Sequence, residues 1–339
     1  MADRYLSIDG LDKLISSVSG KGGRFIAPAT VGRQTVFKEV GPGQEVASGY
    51  ILARNSYKEF LFPQTEVIAD FTIGKNNVDL RSREIEAQDT VIFGARPCEA
   101  ASLASLRSVF TWDFLDEFYT KREDKTVVMS IACTKADEAC FCTTVGLSPE
   151  SVEGSDLMLY EIDKGGWFVH FVTDRGKAFV AAHEAAFTPK PVQDVNVVDL
   201  AVPEPINGVD LAKIGERLKD RGHYDEPVWA ELSRKCIGCG ACTYVCPTCH
   251  CFDITDEGTA FEGERRKNWD ACQMEMFTMH ASGHNPRDVQ WKRWRNRFMC
   301  KFNFYPNKFK SKGCVGCGRC IRVCPVRVDI TEAMEALSK

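Results

Sequence analysis

No stretch of this chain stays apolar for the roughly 20 residues that a membrane-spanning helix needs. The longest such runs, Thr126 to Ala132 and Ala178 to Phe187, stop well short, so direct membrane insertion is not expected. No Gly-x-Gly-x-x-Gly follows an apparent strand, which removes the dinucleotide fingerprint, and Ser19-Gly-Lys-Gly-Gly23 lacks the spacing of a phosphate loop. An excess of one charge is missing too: 43 Lys and Arg against 47 Asp and Glu leave a net charge of -4. That balance gives no global basis for holding nucleic acid. The six histidines form no metal-spaced set beyond His280 and His284, which bracket Gly283 and read as a helix end. What abounds is cysteine, 16 in 339 residues.

Eight of the cysteines fall into two runs, Cys236-Ile-Gly-Cys239-Gly-Ala-Cys242-Thr-Tyr-Val-Cys246-Pro247 and Cys314-Val-Gly-Cys317-Gly-Arg-Cys320-Ile-Arg-Val-Cys324-Pro325. Each spells CxxCxxCxxxCP, the ligand pattern of a two-cluster ferredoxin. In that arrangement three cysteines of a run hold one [4Fe-4S] cluster and the fourth crosses to the other. The expected sets are therefore Cys236, Cys239, Cys242 and Cys324 for one cluster, and Cys314, Cys317, Cys320 and Cys246 for its neighbour. A structural zinc site usually separates its CxxC pairs by a longer spacer, which four cysteines in one short run do not fit. Thiols at this spacing, with no signal peptide apparent, imply a reducing compartment and hence the cytoplasm.

The remaining cysteines form two groups of four. Cys98, Cys133, Cys140 and Cys142 follow the apparent strands Thr90 to Gly94 and Thr126 to Ser130. In a parallel sheet the carboxyl ends of neighbouring strands open on one crevice, so these sulfurs are expected to meet there as a third metal site, most simply another [4Fe-4S] cluster. Zinc and buried free thiols are the alternatives. Cys249, Cys251, Cys272 and Cys300 form the second group. The first three are candidates for a fourth cluster, with packing or redox-active thiols as the other readings; Cys272 is expected on a helix starting near Asn268.

The length allows about two domains. Residues 1–187 alternate short β-rich segments (Gly23 to Ala27, Thr90 to Gly94, Thr126 to Ser130, Trp167 to Val172) with helical ones (Ile8 to Val18, Glu99 to Ser108, Asp113 to Lys121, Asp174 to Ala186), the pattern of an α/β domain. Residues 188–210 show neither period and read as a linker. Residues 211–339 read as a mostly α, two-cluster ferredoxin-like domain with a long helical insertion at 247–313, and with amphipathic stretches at Leu211 to Lys219 and from Glu226 into the first run. Within the insertion Trp291, Trp294, Phe298 and Phe302 make one apolar helix stripe. Lys292, Arg293, Arg295, Arg297 and Lys301 lie opposite, a solvated face or a dock for an acidic partner. Positive charge there would also raise the potentials of nearby clusters.

Phe60-Leu-Phe-Pro-Gln-Thr-Glu66, Phe93-Gly-Ala-Arg-Pro-Cys98-Glu, Cys140-Phe-Cys142-Thr-Thr, Cys242-Thr-Tyr-Val-Cys246-Pro-Thr-Cys249-His-Cys251-Phe, Asn268-Trp-Asp-Ala-Cys272 and Gly313-Cys-Val-Gly-Cys-Gly-Arg-Cys320 occur in this order. Together they resemble the beta subunit of cytosolic sulfhydrogenases and the similar iron–sulfur subunit of anaerobic sulfite reductases, over nearly the whole chain. Related subunits serve flavin oxidoreductases that feed heterodisulfide reductase. The resemblance implies a non-catalytic iron–sulfur subunit that passes electrons between an FAD- and NAD(P)-binding partner and a catalytic hydrogenase, sulfite reductase or heterodisulfide reductase subunit. Cys300 departs from it, a histidine being expected before Lys301, and so stays outside the candidate ligands. A cluster-bearing sensor or assembly module, and a self-contained reductase using Cys249 and Cys251, are the rival readings.

Overall fold

The computed structural model describes residues 4–85, 87–189 and 195–339. Seven strands form one sheet in the order Arg4–Leu6, Trp167–Phe171, Leu157–Glu161, Thr126–Ile131, Thr90–Ala95, Arg24–Val31 and Gln34–Glu39. The four strands from Leu157–Glu161 to Arg24–Val31 run parallel, and the outer pairings are antiparallel. Thr90–Ala95 is buried along its whole length, as a strand covered on both faces must be. Alternate residues feed two cores. Phe25, Phe93 and Met129 pack with Leu14, Ile15 and Trp167 on one face, while Ile26, Ile92 and Val128 pack with Tyr57, Phe62 and Phe110 on the other, following the two-residue period of a strand.

The helices on this sheet start where the sequence supplies caps. Ile8–Gly20 begins at Ser7, whose hydroxyl accepts from the Gly10 N–H at 2.9 Å, and it buries Leu11, Leu14, Ile15 and Val18 at helical spacing. The expected helix from Glu99 to Ser108 is two, Pro97–Ala100 and Leu103–Phe110. The one expected from Asp113 begins later, at Glu117–Asp124 behind an Asp116 cap. Asp174–Ala182 ends in a short 3-10 turn. Of the expected linker, residues 190–194 lie outside the described residues. Its later part passes over the sheet's carboxyl edge, where the Ala201 N–H donates to the Cys133 carbonyl at 2.9 Å.

The insertion between the cysteine runs is helical only in its second half. Its first half is a hairpin, Phe252–Gly258 and Glu262–Trp269, which pairs with Thr65–Ile73 and Val78–Ser82 in a four-stranded antiparallel sheet. Segments far apart in the sequence thus share one sheet. Arg265 clamps Asp256 across the hairpin at 2.7 and 2.9 Å. The expected helix at Asn268 is therefore the end of a strand, and Cys272 sits in the turn after it. His280 and His284 close a tight turn rather than a helix. The stretch from Glu226 is helical only over Val228–Leu232, whereas Leu211–Lys219 forms as expected.

Gln290–Met299 continues through a π-helical turn, Cys300–Phe304, into Tyr305–Phe309. Its apolar stripe of Trp294, Phe298 and Phe302 packs on Trp229, Ile214, Leu218, Met334 and Leu337. Most of the basic side is not solvated: Arg293, Arg295, Arg297 and Lys301 are buried, while Lys292 stays partly exposed and pairs with Asp288 at 2.7 Å. Arg295 stacks 3.4 Å from the Tyr224 ring and pairs with Asp225 at 2.5 Å, while Arg297 and Lys301 turn toward cysteines. Among the described residues no helix is long and apolar enough to cross a membrane.

Besides the strand pairing, a buried lysine ties the hairpin to the N-terminal half. Lys267 lies 3.0 Å from Glu66 and 2.9 Å from Asp116, and Arg122 also pairs with Glu66. Lys267→Ala leaves buried carboxylates short of a counter-charge and is expected to cost about 3 kcal/mol, read as a lower thermal unfolding midpoint. An unchanged midpoint would show that this network does not hold the hairpin.

Candidate metal centres

The two cysteine runs fold alike because they repeat the same backbone requirement. Gly238, Gly240, Gly316 and Gly318 have φ of 70, 74, 64 and 69°, the left-handed region open to glycine at little cost. A short helical turn follows each loop, Ala241–Tyr244 and Arg319–Val323. Cys236, Cys239 and Cys242 line one cavity together with Cys324, the fourth cysteine of the other run, and with Cys320. Gln290 donates to Cys236 Sγ at 3.2 Å, and the Val328 N–H to Cys324 Sγ at 3.2 Å. Cys239 is the exposed thiol of the sixteen, with Ile237 at its side 64% exposed. Cys246 crosses in the opposite direction, into electrostatic reach of Cys314 and Cys317.

Burial favours the protonated form of three of these thiols, whereas a hydrogen bond with Cys249 and the nearby Lys301 hold Cys246 well below an ordinary thiol. Burial pushes Cys242 and Cys314 up to about 12, and Cys317 up to about 11. Metal binding to such a set releases protons, because the ligand is the thiolate. Two buried cations stand ready for the resulting charge. Lys301 Nζ donates to Cys246 Sγ at 3.3 Å, Cys249 Sγ at 3.4 Å and Thr248 Oγ1 at 2.6 Å. Burial pulls the Lys301 pKa down, but Cys246 and Cys249 together hold it above an ordinary lysine. Arg297 reaches the Cys242 carbonyl at 3.4 Å and faces Cys242, Cys320, Cys246 and Cys249.

The α/β half brings its own four cysteines together. Cys98 opens the helix Pro97–Ala100 after one central strand, Cys133 follows the neighbouring strand, and both line a cavity with Cys140 and Cys142. Cys317 of the second run lies in the wall of that same cavity. Cys98, Cys142 and Cys317 also share one apolar cluster with Val315 and Leu147. The approach is close enough to demand glycine. A Cβ on Gly316 would meet Cys142 Cα at 2.5 Å, and one on Gly318 would meet the Ala139 carbonyl oxygen at 2.1 Å. The Phe141 N–H donates to the Gly316 carbonyl at 3.0 Å, and Arg322 reaches Cys140 Sγ at 3.1 Å. Burial raises Cys133 to about 11.

The last four thiols also meet, including Cys300, which sequence reasoning leaves out. Cys251 lies beside Cys272, with Cys249 and Cys300 in electrostatic reach. The contact with Cys251 holds Cys272 down at about 6, while burial pushes Cys300 up to about 11. Cys300 opens the π-helical turn that also carries Lys301, and such turns recur at functional sites. Its only signal in the sequence is its place as one of four cysteines outside the runs in this half, and it stands alone on a basic helix. Lys58 has no such signal; it is buried with Nζ 2.8 Å from the Cys249 carbonyl and 4.1 Å from the Trp269 ring centre. Among the described residues no three His, Cys, Asp or Glu side chains are spaced to hold a single metal ion.

Comparison with known proteins agrees with this chemistry. Residues 235–328 match the 4Fe-4S dicluster domain family. Over 322 residues, 92% of this chain and 92% of the relative, the sequence is 30% identical to sulfhydrogenase 2 subunit beta of Pyrococcus furiosus. No solved structure matches. A chain that pairs two crossing cysteine runs with this likeness along its length belongs to the sulfhydrogenase beta-subunit family and carries two [4Fe-4S] clusters in its C-terminal half.

Proposed function

We propose that this protein is the electron-relay subunit of a multi-subunit oxidoreductase and uses all sixteen of its cysteines as cluster ligands. Cys236, Cys239, Cys242 and Cys324 hold one [4Fe-4S] cluster, and Cys314, Cys317, Cys320 and Cys246 the next. Cys98, Cys133, Cys140 and Cys142 hold a third, and Cys249, Cys251, Cys272 and Cys300 a fourth. When bound, such clusters supply reversible one-electron transfer. No residue is assigned a catalytic role.

The observation that carries this reading is Cys317 in the wall of the cavity ringed by Cys98, Cys133, Cys140 and Cys142. One loop serves both halves of the molecule there, which a chain of adjoining redox centres requires and a pair of separate metal sites does not. Three further observations support it. Cys246 and Cys249 share one ammonium donor. Ten of the cysteines line two cavities instead of packing as isolated thiols. Buried cations lie where thiolate and sulfide charge would gather. From the family resemblance, the proposed partners are an FAD- and NAD(P)-binding subunit that gives or takes electrons and, at the other end, a hydrogenase, sulfite reductase or heterodisulfide reductase subunit. The exposed Cys239 marks the end of the array that such a partner reaches.

The relay reading is tested by anaerobic redox titration of the purified chain with and without a co-purified flavin subunit. Several reversible one-electron centres are expected, reduced by NAD(P)H only when the flavin subunit is present; centres that exchange no electrons with any co-purifying subunit would leave a sensor or assembly role instead. The ammonium shared by Cys246 and Cys249 gives a second expectation. Lys301→Met should lower the midpoint potential of the centres that these cysteines hold, since reduction adds negative charge beside the lost cation, with iron content retained. Potentials that stay in place would remove Lys301 from the electrostatics of the site.

A further inference from the structure

One buried ion pair stands where the two halves of the cysteine array meet. Glu99 follows Cys98, and Arg319 precedes Cys320. Arg319 Nη2 lies 2.5 Å from Glu99 Oε2, with the two side chains 2% and 0% exposed. Both are held rigidly. The Tyr57 N–H donates to Glu99 Oε1 at 2.9 Å, and Arg319 Nε donates to the Ala53 carbonyl at 2.9 Å. Arg319 Nη1 is buried and has no partner among the described residues. Cys98, next to Glu99, and Cys317, two residues before Arg319, share one apolar cluster and line one cavity, so the pair stands between a thiol of the second run and a thiol of the N-terminal group.

An unpaired guanidinium N–H in the interior is costly. An acceptor brought to it offsets that cost, and the sulfur-rich groups proposed for the two adjoining cysteine sets are acceptors that its surroundings would bring. We propose that the Glu99–Arg319 pair is a positioning and tuning element between these two centres, with Arg319 favouring the reduced state of both and Glu99 opposing it. The proposal rests on the relay reading for the N-terminal centre, and on the dicluster domain alone for the other. A neutral pair placed between two redox centres acts on them by its orientation: the positive end faces the cysteines, and each added electron is stabilised by the guanidinium in a poorly screened interior. The same pair fixes the helix that carries Cys98 against the turn that carries Cys320, so it also sets how the two centres sit.

The pair makes a prediction that a purely structural role does not. Arg319→Gln is expected to lower the midpoint potential of the second run's centre, and Glu99→Gln to raise it, each read by EPR-monitored redox titration of the full chain with iron content measured in parallel. Because either single variant leaves a buried group without its partner, the double variant Glu99→Gln with Arg319→Gln serves as the folded control, with a potential between those of the singles. Shifts of the same sign in both single variants, or unmoved potentials at full iron content, would overturn the proposal. The second run's centre answers this question even if the N-terminal thiols hold no iron. A missing N-terminal centre therefore counts against the relay reading, and unmoved potentials at the second run count against the pair.

Discussion

Thiolates gathered in a protein interior are costly twice over, because each loses its hydration and each repels the next. Much of the packing around the cysteines answers that constraint. Lys301, Arg297, Arg319 and Lys58 are buried charges, of residue types that are otherwise rarely buried. Each is anchored by a fixed acceptor: Thr248 for Lys301, the Cys242 carbonyl for Arg297, the Ala53 carbonyl and Glu99 for Arg319, and the Cys249 carbonyl for Lys58. The anchors hold the cations in place whether or not the sulfurs are charged. A preset field of this kind favours metal binding and reduction without rearrangement at the moment of electron arrival.

The same constraint explains why the two halves cannot be treated as beads on a string. The second cysteine loop presses its glycines onto the segment 139–142, and the hairpin of the insertion completes a sheet begun at Thr65. Cys251 and Cys272 sit at the two ends of that hairpin, so the strand pairing that joins the halves also brings these cysteines together. With the ligand sets proposed above, metal binding and domain assembly would be coupled, forming either helping to organise the other.

The sequence is most legible where chemistry imposes local spacing. The doubled CxxCxxCxxxCP runs announce their crossing, and the strands before Cys98 and Cys133 are buried apolar runs whose carboxyl ends must share an edge. The hairpin is illegible because Phe252 to Trp269 is mostly polar; its strands are stabilised by pairing with Thr65–Ile73 and by cross-strand charges such as Asp256 with Arg265, not by an apolar period. The basic face of the helix from Gln290 misleads for a related reason. A run of Lys and Arg opposite an apolar stripe ordinarily faces water, and only the tertiary structure reveals that cysteines distant in sequence, Cys242 and Cys246, lie against Arg297 and Lys301. Cys300 is hidden in the same way: its neighbours Cys251 and Cys272 come to it through the fold.

The central claim is that loops from both halves build one continuous set of cysteine sites, and iron and acid-labile sulfide per chain measure it directly. On protein purified without oxygen the account predicts about sixteen of each, at four per [4Fe-4S] cluster, with a loss of about four when Cys98 and Cys133 are both replaced by Ser. About eight in the unmodified chain, unchanged by those substitutions, would confine the metal to the two C-terminal runs and contradict it.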